Sequence, residues 1–126
     1  MALCLATALA TATVAASSFT VAWTHSIERV RWEEAWRVEG RELVLDTVRV
    51  RGHGAGMEPA AGAVLRDGAW TWHPRTRHAL LRLTRSEHTA DYEWCEAGRP
   101  CVPLSALLPS DGGVTELRVC PTAVAH

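Results

Sequence analysis

The sequence predicts an all-β protein, a small antiparallel sandwich or barrel-like domain that follows an N-terminal leader or anchor. Three observations predict it. Apolar and polar residues alternate with period two over most of residues 19–119. Turn signals such as Asp67-Gly68 and Gly112-Gly113 separate the alternating runs. Only residues 105–108 read as a helical turn.

The elements follow in chain order. Residues 1–24 contain no Asp, Glu, Lys or Arg. Residues 2–16 are mildly apolar and small, which resembles the core of a signal peptide ending near Ala15 or Ala16. No positive residue precedes the stretch, and Ala and Thr fall short of the roughly 20 strongly apolar residues that a spanning helix needs. The expectation is a leader or short anchor over residues 1–16, one mostly β domain over 17–126, and loss of Cys4 with the leader.

Phe19, Val21, Trp23 and His25 share one face of the next run. Val30, Trp32, Glu34, Trp36 and Val38 share a face of the following one, and Arg29, Arg31, Glu33, Arg37 and Glu39 share the other. The segment around Glu33-Glu34-Ala35-Trp36-Arg37 also has helical propensity, but alternation this regular favours a half-buried strand. In residues 43–50 the apolar positions move from Leu43 and Leu45 to Val48 and Val50, which predicts a β-bulge near Asp46-Thr47. Asp67-Gly68 predicts a hairpin between 63–65 and 70–72. Residues 80–83, 90–94, 102–104 and 114–119 complete the strands. His73 and His78 flank a Pro-Arg loop and are expected in solvent.

Cys95 ends one strand and Cys101 opens the next, both on the outward face, so a cross-strand Cys95–Cys101 disulfide fits their geometry. Free thiols are the alternative, and Cys120 is open to pairing with either. The spacing is not that of a zinc knuckle, so no metal is expected.

The candidate site is a polar group set among tryptophans. His25 and Glu34 lie on the apolar faces of adjacent strands beside Trp23, Trp32 and Trp36. A carboxylate there must be paired, hydrogen-bonded or neutralised. A hairpin through 27–29 would let His25 approach Glu34. This is either a structural polar pair or a ligand site. The glycine-rich stretch around His53, Gly54, Gly56, Met57 and Glu58 offers backbone N–H groups to an anion, but lacks the Lys-Ser/Thr of a P-loop. There is no Gly-x-Ser-x-Gly elbow. Ser26 and His25 point to opposite faces of a strand, against Ser hydrolase chemistry. Thirteen basic residues, all Arg, balance 14 acidic ones, which argues against a nucleic-acid partner.

Trp23-Thr24-His25-Ser26-Ile27-Glu28 and Trp32-Glu33-Glu34-Ala35-Trp36 resemble the opening signature of a bacterial family, domain of unknown function 1850. The likeness continues through Gly54-Ala55-Gly56-Met57-Glu58-Pro59, Trp94-Cys95, Gly98, Cys101 and Leu104-Ser105. The resemblance implies a small exported envelope protein encoded beside TRAP-type (tripartite periplasmic) transporter genes. It carries the motif positions His25, Ser26, Glu28, Glu34, Gly54, Gly56 and Glu58 as candidate ligand-binding residues. The expected role is a periplasmic binding or accessory module that works with a membrane transporter and a small solute, with no cofactor. The alternatives are a small envelope hydrolase using His25 with Glu34 or Glu28, and a purely structural envelope domain.

Overall fold

A computed structural model describes residues 1–24, 29–51 and 61–121. Twelve strands run in chain order: β1 (Ala2–Ala6), β2 (Thr11–Val14), β3 (Ser18–Thr24), β4 (Arg31–Glu39), β5 (Glu42–Arg51), β6 (Val64–Arg66), β7 (Ala69–Trp72), β8 (Thr76–His78), β9 (Leu81–Thr84), β10 (Glu93–Cys95), β11 (Val102–Pro103) and β12 (Val114–Cys120). One turn of 3-10 helix spans Leu104–Ala106. Every strand pairing is antiparallel. The first sheet has the order β2-β1-β12-β9, and the second β11-β10-β3-β4-β5-β7-β6, with β8 also pairing with β5.

The two sheets form a sandwich because each buries the apolar half of its alternation. Leu3, Leu5, Leu83 and Leu117 of the first sheet join Phe19, Val21, Trp36, Leu43 and Trp94 of the second, closed at one end by Leu104 and Leu108. Full burial of each large side chain contributes roughly 1.5–3 kcal/mol. A second, smaller cluster holds Val30, Val48 and Val50 under Trp32 and Trp72.

The register confirms the expected faces. β3 and β4 pair Phe19 with Trp36, Val21 with Glu34, and Trp23 with Trp32. Aromatic rings stack across these rungs: Phe19 on Trp36, and Trp23 on Trp32. The bulge lies where the change of face places it. Ala35 pairs with Thr47 and Trp36 with Leu45, leaving Asp46 as the extra residue of β5. Beyond the bulge β5 also changes partner: 43–45 pair with β8, and 48–51 with β7. Asp67 and Gly68 both have positive φ, as a two-residue hairpin of the primed type requires.

Four features go beyond the sequence reading. Residues 1–16, expected as a leader or anchor, carry β1 and β2. Leu3 and Leu5 are fully buried, and β1 pairs with β12 from Ala2–Cys120 to Ala6–Glu116. Small uncharged residues suit a buried strand as well as they suit a leader. Second, Cys4 is bonded to Cys120, which none of the expected pairings of Cys120 included. The expected Cys95–Cys101 bridge is present. Third, Thr76–His78 forms a strand instead of continuing the Pro-Arg loop. Fourth, His78 is half-buried, its ring packed edge-on to Trp36 at 5.2 Å, while His73 is exposed as expected. Among the described residues, no helix is long and apolar enough to cross a membrane.

Candidate functional site

Of the candidate ligand-binding residues, Glu34 falls within the described structure. His25, Ser26, Glu28, Gly54, Gly56 and Glu58 lie outside the described residues, and so does the His25–Glu34 approach. The register sets Glu34 opposite Val21 on one side and Val48 on the other. Its side chain therefore stands on the inner face of the second sheet, at the seam between the large and the small core clusters.

Above Glu34 an open cleft of about 510 Å³ separates the sheets. Trp23, Trp36 and Tyr92 give it aromatic walls; Leu45, Leu80, Leu81 and Leu83 give it an apolar one; His78 and Arg82 complete its lining. Pockets of roughly 300–1,000 Å³ with apolar walls and a few polar groups are typical of small-molecule sites. Local chemistry positions the walls. Trp23 meets Tyr92 edge-on at 5.5 Å. The Tyr92 hydroxyl donates to the Thr84 carbonyl at 3.1 Å.

The electrostatics single out Glu34. Its neighbours on β4 are neutralised: Glu33 pairs with Arg51 at 2.8 Å, and Glu39 with Arg37 and Arg77. No described cation lies within ion-pairing distance of Glu34. Burial accordingly pushes its carboxyl above the usual carboxylate range. The Trp36 indole N–H, two residues on and on the same face, leans toward Glu34 and offsets part of that rise. It falls short of a hydrogen bond, because Trp36 Nε1 is buried without a partner of hydrogen-bonding geometry. By contrast, Trp94 Nε1 donates to Glu96 at 2.9 Å across the same two-residue spacing. Burial also raises the Tyr92 phenol, and the nearby Glu34 charge adds to it.

Among the described residues lining the cleft there is no Ser, Thr, Cys or Lys. The described residues also contain no group of three or more His, Cys, Asp or Glu placed to hold a metal ion. Among the described walls, Glu34, His78 and Tyr92 are the side chains that carry nucleophilic atoms. Sequence reasoning found Glu34, Trp23 and Trp36 through alternation. It missed His78 and Arg82, which reach the cleft through pairings that local pattern does not reveal.

The family model described as Domain of unknown function (DUF1850) matches residues 19–104. The chain belongs to the DUF1850 family. The DUF1850 match takes in Glu34 and the described cleft walls from β3 to Tyr92. It starts after β1 and β2 and stops before β12. Three strands of the first sheet therefore lie outside the matched span, with β9 alone inside it. No curated protein and no solved structure matches the chain.

Proposed function

We propose that this DUF1850 protein is a ligand-binding module of the cell envelope, one that holds a small solute in the cleft over Glu34 and serves a TRAP-type membrane transporter. The observation that carries it is a half-buried carboxylate, Glu34, lining an open, aromatic-walled cleft, with no cation within ion-pairing distance among the described residues. A buried polar group without a partner costs about 1–3 kcal/mol, and a ligand that supplies the partner recovers that cost on binding. The aromatic walls and open mouth suit such a ligand. The two disulfides fit an oxidising compartment. The link to a transporter rests on the family resemblance alone.

Two measurements test the proposal. Thermal shift of the disulfide-bonded full chain against a panel of small solutes should find a stabilising ligand, because a ligand that binds only the native state stabilises it by mass action. The stabilisation should vanish in Glu34→Gln. Affinity capture from native membranes should recover a transporter subunit. Turnover of any solute in place of simple binding would favour the hydrolytic alternative with His25 and Glu34 or Glu28.

A further inference from the structure

The cleft's walls also restrict what it can hold, if it binds at all as proposed above. We infer that the cleft takes a small organic cation of the alkylammonium class, its ammonium group beside Glu34 and the rings of Trp23, Trp36 and Tyr92.

Each part of that ligand answers one observation. Glu34 supplies negative charge at a half-buried position where no described residue supplies positive charge. Three aromatic rings face the same space, and aromatic rings attract cations through their quadrupole, most strongly where water is displaced. An alkylammonium satisfies both, and its methyl or methylene groups fit against Leu45 and the other leucines. An anion would meet the Glu34 charge at close range, and a plain hydrocarbon would leave it unmet.

Among the described residues lining the cleft, Arg82 is the one cation that opposes this assignment. Its charge is already paired with Glu116 at 3.3 Å, and its side chain is 68% exposed, so solvent screens it. His78 is occupied otherwise, with Nε2 at 2.8 Å from Thr76 Oγ1.

The test compares three probes on the full chain with both disulfides intact: choline, neohexyl alcohol as its uncharged isostere, and butyrate. The readout is the indole N–H resonance of Trp36, titrated to saturation. Choline should shift it saturably, and neohexyl alcohol should bind at least about tenfold more weakly, the scale of one desolvated cation–π and charge contact. Glu34→Gln should weaken choline about tenfold and leave neohexyl alcohol nearly unchanged. If that variant does not fold, the comparison of charged and neutral probes on the native chain still decides. Neohexyl alcohol or butyrate binding as tightly as choline would overturn the cation assignment and leave the binding module standing. Choline affinity unchanged in a folded Glu34→Gln would overturn the role of Glu34. A Trp36 resonance that no probe moves would overturn the ligand site itself.

Discussion

Arg85 and Asp91 tie the two sheets together through a bidentate ion pair. Arg85, just after β9, donates from Nε and Nη2 to the two carboxylate oxygens of Asp91 at 3.0 and 2.7 Å. Its third nitrogen, Nη1, donates to the Leu108 carbonyl at 2.8 Å and Thr115 Oγ1 at 3.2 Å. Asp91, just before β10, also accepts from the backbone N–H groups of Tyr92 and Ser105. The Arg85 side chain is 1% exposed. Removing one partner of such a pair leaves a buried charge without compensation, which costs about 3–5 kcal/mol. Asp91→Ala should therefore lower the unfolding free energy measured by urea titration by an amount in that range. Replacing both residues with apolar ones of similar volume should cost much less.

Glu34 should make stability fall as pH rises through its titration. Burial raises its folded pKa above the ordinary 4.5. Between the unfolded and folded values the native state binds more protons than the unfolded chain. The slope of stability against pH is then negative across that window. Glu34→Gln should remove this slope and be more stable than the native protein above the window. Thermal melts of both proteins at closely spaced pH values check it; identical pH profiles would contradict the assignment.

The two disulfides should differ in weight. Cys4–Cys120 closes a loop of sequence separation 116, and Cys95–Cys101 one of 6. In the chain-entropy picture these correspond to about 5 and about 2 kcal/mol. The Cys4→Ser/Cys120→Ser double variant should melt well below the Cys95→Ser/Cys101→Ser one. Thiol titration of the unreduced full chain should find no free sulfhydryl. A single free thiol would show that Cys4 is lost and that β1 leaves with it.

Gly68 should be sensitive for backbone reasons alone. Its φ is +76°, and a Cβ added there would meet nothing within 4 Å. Gly68→Ala should cost about 1 kcal/mol, the penalty of left-handed backbone for an L residue. Calorimetry of the variant measures it.

Much of the second sheet was legible because alternation is a local signal. β4, the Asp46 bulge, the Asp67-Gly68 turn and the Cys95–Cys101 bridge each declare themselves within a dozen residues. β1 and β2 did not, because Ala, Thr and Leu without charge serve a leader and a buried strand equally well. The partner of β1, β12, lies more than a hundred positions away, beyond the reach of local pattern. His78 escaped for the same reason: its strand pairs with residues 43–45 of β5, ahead of the bulge, and three polar residues show no periodicity. At the site, Glu34 stood out as a carboxylate on an apolar face. That the Trp36 indole N–H leans toward it is a fact of side-chain geometry, which residue types cannot convey.

The bond between Cys4 and Cys120 also has a mechanical meaning. It joins the first strand to the last, so a pull on the two ends passes through a pair of sulfur atoms. The strands in between carry no tension. Once that bond is reduced, the same pull would act on β1 and β12, whose outer ends lie side by side at Ala2 and Cys120. They would then part like a zipper, one rung at a time, with resistance concentrated nowhere.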